Sequence, residues 1–322
     1  MKVLVTGSTG YIGHELALAL AKKKITVHAL CRDIHSPKVP LHDKIILFKG
    51  DICDKSSLKK AIKDCEYVFH CAAFTNLKCK SINSFFETNV VGTENVLAAA
   101  LNEGVKKFVF TSSLSVFGPS YKNIPITEEQ PRLASYANDY ELTKCMAEEK
   151  VKGYSKLGLP YVILNVSRVY GPNINGNPFG VYHLIEQMVN KSILLMPNRG
   201  EVRTNYVYVK DVVKAHIKVI KSSVRDENYI IGGENISYNT LFQFIKTLTK
   251  SKVRIIRCNY KMIRMVLSVW NALGSFFNWS SFLNPQVIDA LFINRQSVSN
   301  KAKRDLKYTV TPLEKGLKKT IK

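Results

Sequence analysis

A chain of 322 residues, 46% hydrophobic and 22% charged, has the makeup of a folded globular protein and the length to bury a large core. Its 47 Lys and Arg against 25 Asp and Glu leave a net charge of +22, which either draws anions (a phosphorylated cofactor, a nucleotide-linked substrate, an acidic membrane, a nucleic acid) or is simply a lysine-rich surface. Seven cysteines without a C-x-x-C pair argue against a zinc site or disulfide framework and for reduced thiols in a cytoplasmic protein, and neither a membrane-spanning apolar run nor room for a signal peptide is read in the sequence.

The chain opens on a β-branched run, Lys2–Thr6. It passes through Gly7-Ser8-Thr9-Gly10-Tyr11-Ile12-Gly13 into helical spacing over Ile12–Ala21. A glycine turn between strand and helix is the setting of a dinucleotide fingerprint. Gly7 permits the tight turn, Gly10 admits a pyrophosphate to the backbone, and Gly13 lets helix and strand pack closely. Thr9, Tyr11 and Ile12 belong to the helix start, whose free N–H groups attract phosphate. The spacing is one residue longer than the commonest form.

Ile25–Leu30 predicts the second strand, and its end bears on the cofactor. Cys31 stands where an acidic residue would hold the adenosine ribose, and Arg32 follows. A guanidinium there suits a 2′-phosphate, so NADP is the expected cofactor, with NAD the alternative. Asp33 would pair with Arg32 or reach the ribose. Lys44–Phe48 predicts a third strand, followed by Asp51 and Ile52. The Asp51 carboxylate either accepts from the adenine amino group or caps a helix over Ser56–Lys63.

Tyr67–Cys71 predicts a fourth strand ending in His70-Cys71-Ala72-Ala73. The small Ala72 and Ala73 leave space for a cofactor, and His70 reads as a core histidine. After a helix over Phe85–Asn102, the strand Lys107–Thr111 runs into Ser112, Ser113 and Ser115. A hydroxyl at that strand end can stabilise charge developing on a substrate oxygen. A helix around Tyr140–Lys156 puts Tyr140 and Lys144 on one face. An ammonium beside a phenol lowers the phenol pKa, so Tyr140 could exchange a proton with a substrate. Tyr161–Leu164 predicts a sixth strand.

Continuous apolar strands separated by helices predict an α/β fold: a doubly wound parallel sheet, or Rossmann domain, over residues 1–165. Residues 166–322 read as a smaller substrate-binding lobe, partly interleaved with late Rossmann elements, with a loop at Gly171–Gly180. Lys261–Ile293 begins basic and is rich in Trp, Phe, Leu and Met. It reads as helices covering the substrate site, with a lipid-facing patch as the alternative.

In this order, TGSTGYIG, GDIC, HCAA, NVVGTENV, FVFTSSLSVFG, YELTK and RVYGPN resemble the extended short-chain dehydrogenase/reductases, the NAD-dependent epimerase/dehydratase group. The resemblance spans most of the chain. It implies Ser113, five residues before Gly118, as the catalytic serine, with Ser112 the fallback. It also implies Tyr140 as proton donor, Lys144 as the ribose-binding lysine, and Asn89 as a support of the site. The implied activity is an NAD(P)-dependent oxidoreductase interconverting a carbonyl and a secondary alcohol.

Nucleotide-sugar 4,6-dehydratases carry Thr-Asp-Glu where this chain has Ser113-Leu114-Ser115, so dehydration is not expected. Reduction and retained-cofactor epimerisation of a nucleotide sugar use the same groups. The segments Arg203–Val207 and Lys301–Tyr308 resemble the dihydroflavonol-reductase-like and 3β-hydroxysteroid-dehydrogenase-like branch and lean toward reduction. Arg203 lies one position off the spacing of the epimerases' diphosphate-binding arginine. A redox-inactive nucleotide sensor ranks below an enzyme, because Ser, Tyr and Lys are all present. The expected partner is a small carbonyl or alcohol, or a nucleotide sugar. No nucleic acid is expected, for want of basic–aromatic interleaving. Peripheral membrane contact and a homodimer both stay open.

Overall fold

The computed structural model describes residues 1–76, 81–121, 124–132, 135–172, 180–197, 201–277, 289 and 292–321. In chain order the first half is β1 (Lys2–Thr6), α1 (Tyr11–Ala21), β2 (Thr26–Cys31), β3 (Ile45–Lys49), α2 (Lys55–Ile62), β4 (Tyr67–His70), α3 (Ile82–Phe86), α4 (Gly92–Asn102), β5 (Lys107–Ser113), α5 (Asp139–Ser155) and β6 (Tyr161–Val166). Every strand and helix anticipated there is present. One differs in kind: the helix expected over Phe85–Asn102 is broken by a π-helical turn at Glu87–Val91. Such turns occur frequently at functional sites.

The second half holds β7 (Arg168–Tyr170), α6 (Val181–Asn190), β8 (Ile193–Pro197), β9 (Arg203–Tyr208), α7 (Val209–Lys221), β10 (Glu227–Ile231), β11 (Glu234–Ser237), α8 (Tyr238–Thr249), β12 (Arg254–Cys258), α9 (Tyr260–Phe277), α10 (Asn300–Leu306) and α11 (Leu313–Ile321). Seven strands form one sheet in the order β3-β2-β1-β4-β5-β6-β10, and every pairing in it is parallel. With α1 and α7 on one face and α2, α4 and α5 on the other, this is a doubly wound Rossmann sheet.

The strands are buried from both sides, which is why β1, β2, β5 and β6 read as unbroken apolar runs rather than alternating ones. β1 lies between β2 and β4, so the connections leave in opposite directions and open a crevice beyond the carboxyl ends of β1 and β4. β10, from the second half, completes the sheet against β6.

A smaller layer stands over those carboxyl ends. It comprises the β11-β9-β7 sheet, the β12-β8 pair, and a core in which Met188, Phe242, Ile245 and Leu317 are buried. The loop expected at Gly171–Gly180 lies mostly outside the described residues, as does Cys79.

Candidate active site

The glycine turn is built from backbone. Gly7 has φ of +68°, and a Cβ on it would lie 2.6 Å from the Ala72 backbone nitrogen. A Cβ on Gly13 would lie 2.2 Å from the Gly7 carbonyl oxygen. Gly13 therefore packs the helix against the turn itself, not against the strand. Gly10 caps α1 without any side-chain bond, and the first turn of α1 carries no acidic residue. Its N–H groups stay available to an anion. The cradle fits a dinucleotide, whose pyrophosphate needs close backbone approach at a helix start. Thr9 and Ile12 line the turn half-buried. The Tyr11 hydroxyl is buried without a hydrogen-bond partner.

Ser8, not singled out from the sequence, fastens this turn. Its hydroxyl is fully buried and donates to the Leu30 carbonyl at the end of β2, 2.9 Å away. The strand end that bears on the cofactor is thereby locked to the phosphate cradle. Arg32 stands exposed one residue past β2. Asp33 is not spent on it: its carboxylate accepts from the His35 backbone N–H at 2.9 Å.

Asp51 is half-buried and accepts from the Cys53 N–H at 2.9 Å. It does not cap α2; that is done by Asp54, which accepts from the Ser56 N–H. Ile52 is buried, and a Cβ on Gly92 would lie 2.7 Å from its side chain. Ala72 and Ala73 are half-buried past β4. His70 is fully buried between the Thr6 and Thr93 hydroxyls at 2.7 and 2.9 Å, and burial pushes its pKa down to about 3. It is a neutral core histidine.

Asn89 sits in the π-helical turn, 1% exposed. Its oxygen accepts from the Phe74 N–H at 2.7 Å, while its amide donates to the Phe74 carbonyl and, at 3.0 Å, to the Thr143 hydroxyl. One side chain ties the loop after β4 to the helix that carries Tyr140 and Lys144.

At the carboxyl end of β5 the three serines separate. The Ser112 hydroxyl donates to the buried carboxylate of Glu148. Ser113 Oγ lies 2.8 Å from Ser115 Oγ, and the Ser113 hydroxyl draws the Tyr140 phenol pKa down against burial. Ser112 is thus taken up by Glu148, whereas Ser113 is the serine that acts on the Tyr140 phenol.

Lys144 is 2% exposed, donates to the Thr111 carbonyl at 2.8 Å, and lies 3.8 Å from the centroid of the Phe110 ring. Burial pushes its pKa down to about 7, against the opposing pull of the Glu148 charge. Tyr140 departs from the expectation of a lowered pKa. Burial pushes its phenol up to about 12, with Ser113 opposing and the Glu141 charge adding to the rise. Desolvation of the phenolate outweighs the opposing pull of Ser113, and the Lys144 ammonium is committed to Thr111.

Two arginines not identified from the sequence bear on the site, one of them paired with this helix. Arg295 is buried and donates to Glu141, the neighbour of Tyr140, at 2.6 Å. Its Nε is buried without a partner. Arg168 donates to the Tyr238 hydroxyl and feels the Tyr206 hydroxyl, itself buried. Burial lowers the Arg295 pKa, and the Arg168 charge lowers it further. Arg203, the arginine noted from the sequence, is exposed at the start of β9. The signal for Arg168 was its place two residues before the Tyr170-Gly171-Pro172 turn. Arg295 had no local signal, because it arrives from the other end of the chain.

A family model described as the NAD dependent epimerase/dehydratase family matches residues 3–232. A UDP-N-acetyl-alpha-D-glucosaminuronate decarboxylase of Bacillus cytotoxicus is 30% identical over 276 residues, 81% of this chain and 84% of that protein. A putative dihydroflavonol 4-reductase of Synechocystis is 29% identical over 251 residues, 76% of this chain and 71% of that protein. Among solved structures, a UDP-glucose 4-epimerase of Thermotoga maritima has a TM-score of 0.82 at 24% identity, covering 100% of this chain and 97% of the other. That likeness carries the fold. Parallel sheet, glycine cradle at its switch point and a matching model over most of the length lead to one assignment: the chain is an NAD-dependent enzyme of the epimerase/dehydratase family, within the extended short-chain dehydrogenase/reductases.

Proposed function

We propose that the protein interconverts a carbonyl and a secondary alcohol, with Tyr140 as the proton-transferring group. The observation that carries this reading is the bond from Lys144, one helical turn after Tyr140, to the Thr111 carbonyl, which sets the helix bearing Tyr140 against the end of β5 where Ser113 stands. The bound nicotinamide would supply or accept the hydride. Ser113 holds the substrate oxygen and stabilises charge on it. Tyr140, protonated at neutral pH, gives its proton to that oxygen in reduction and takes it back in oxidation. Lys144 binds the cofactor ribose and carries the local positive charge. Asn89 holds the catalytic helix in register with the loop after β4. Gly7, Gly10 and Gly13, with Thr9, Tyr11 and Ile12, hold the pyrophosphate, while Asp51, Ile52, Ala72 and Ala73 border the adenosine and nicotinamide halves.

Arg32 supports a preference for NADP over NAD. It stands exposed at the end of β2, where a 2′-phosphate would be met by a planar, two-pronged donor.

A second reading is carried by Arg168 and Arg295. The buried Arg295 beside Glu141, with an unpartnered Nε, and the half-buried Arg168 whose charge it feels favour an anionic substrate, and a nucleotide sugar would present its diphosphate there. Epimerisation with retained cofactor would then replace net reduction, using the same Ser113 and Tyr140. The deciding experiment incubates the protein with NADPH or NADH and panels of ketones, aldehydes and UDP-sugars, following absorbance and product stereochemistry. Stoichiometric loss of NADPH supports reduction. Isomerised sugar without net cofactor change replaces it with epimerisation. No turnover of any member with either cofactor overturns both.

A further inference from the structure

Helix α9 turns an apolar stripe to solvent. Met262, Met265, Val266, Val269, Trp270 and Leu273 are each 45% to 61% exposed. Their spacing, at steps of three and four residues over three turns, places them on one face. Ile263 and Leu267 lie half-buried, and the Tyr260 ring packs 6.0 Å from that of Phe292. The helix is therefore anchored by one apolar side while another faces outward. A contiguous exposed apolar stripe of this kind marks an interaction surface. Residues 278–288 lie outside the described residues.

The charge around the stripe says what covers it. No acidic residue occurs between Tyr260 and Phe277. Lys261 opens the helix exposed, and Arg254 and Arg257 stand exposed on β12, beside Ile256 at 40% exposure. Arg264 is partly neutralised by Asp289 at 3.3 Å. The whole chain carries +22. Two copies would bring like charges together, whereas an anionic surface would be attracted.

We propose that α9 is a docking face that lies on an anionic lipid surface. Among the described residues no helix is long and apolar enough to cross a membrane, so the helix lies in the interface rather than spanning it. Trp270 sits within the stripe, and an indole favours the headgroup level. The contacts also lead inward. Tyr260 packs on Phe292, Phe292 lies 5.2 Å from Tyr238, and Tyr238 accepts from Arg168. Docking by α9 would hold the substrate side of the molecule against the bilayer.

The test uses the full chain and flotation with vesicles of phosphatidylcholine, alone or mixed with phosphatidylserine. Binding is expected to the mixed vesicles at low salt and to weaken as salt is raised. Val266→Glu with Trp270→Glu should reduce partitioning by about tenfold or more, since it removes buried apolar area and adds repulsion. Leu41→Glu, at an apolar residue 76% exposed elsewhere, should leave it unchanged. Lipids with brominated acyl chains should quench tryptophan emission of the unaltered protein, a readout that needs no variant. Absence of flotation at low salt overturns the proposal, as does equal binding by the double variant. A concentration-dependent dimer that the double variant dissolves, with no vesicle binding, would make the stripe a contact between copies instead.

Discussion

Lys144 donates its ammonium to the carbonyl of Thr111, 2.8 Å away on β5. That bond ties the helix bearing Tyr140 to the sheet and keeps a cation in a place that water scarcely reaches. Its pKa is pushed down to about 7 by burial, so between about pH 7 and its unfolded value near 10 the unfolded chain holds the extra proton. Stability is then expected to rise with pH across this window and to fall as pH drops through about 7. Melting temperatures of the protein and of Lys144→Met, measured across the window, check this. The variant should lose that part of the slope.

Tyr140 is held protonated, its pKa pushed up to about 12. Alcohol oxidation, which needs the phenolate, is expected to rise with pH through the neutral and mildly alkaline range. Carbonyl reduction, which needs the phenol, should stay level there. The profiles of kcat/KM in the two directions decide it, because they report on the free enzyme. Tyr140→Phe should lower kcat by about 10²–10⁴-fold and leave cofactor affinity nearly unchanged. Ser113→Ala should lower kcat by roughly 10²–10³-fold, whereas Ser112→Ala should act chiefly on stability by stripping a donor from Glu148.

Arg32→Ala is expected to raise the Michaelis constant for NADPH by about 10- to 100-fold, the worth of a charge-assisted pair of hydrogen bonds. The constant for NADH should hardly move. Equal changes would remove Arg32 from cofactor choice.

Asn89→Ala leaves the Phe74 N–H without its acceptor in a partly buried place, which should cost about 1 kcal/mol or more of stability. A purely structural role would stop there. A positioning role predicts a drop in kcat at unchanged cofactor affinity. Partial recovery is expected in Asn89→Asp, which keeps the acceptor but loses the donor to Thr143.

Arg295→Met strands the Glu141 carboxylate in the interior, a change of about 3–5 kcal/mol when a buried pair loses one partner. Arg295→Met combined with Glu141→Gln should recover most of that loss in thermal denaturation. If the substrate is a nucleotide sugar, the double variant should still bind it poorly. If the substrate is uncharged, its KM should return with the stability.

What could be read from the sequence follows from where each interaction lies along the chain. β1 with its glycine turn is local: strand, turn and helix start lie within Lys2–Ala21, so apolar run and glycine spacing were enough. Tyr140 and Lys144 are also local, one helical turn apart. Cys31, Arg32 and Asp33 could be placed, but the use of Asp33 in a backbone bond to His35 could not. The lowered pKa expected for Tyr140 failed because desolvation depends on packing from distant elements. The short strands β7, β8, β11 and β12 have too few residues to show a period, and β7 and β9 meet across more than thirty residues. Arg295 and Glu141 are separated by |i−j|=154, beyond any local pattern.

That last separation bears on how the protein is made. Glu141 lies in the first turn of the helix that carries Tyr140, yet its counter-charge is synthesised only after the whole sheet and most of the smaller layer. Until Arg295 leaves the ribosome, the helix start next to Tyr140 holds a carboxylate that must stay hydrated or take up a proton. The nascent chain can lay down the sheet early, but the neighbourhood of Tyr140 closes near the end of translation. Premature termination before residue 295 would yield a folded-looking sheet with an unfinished centre.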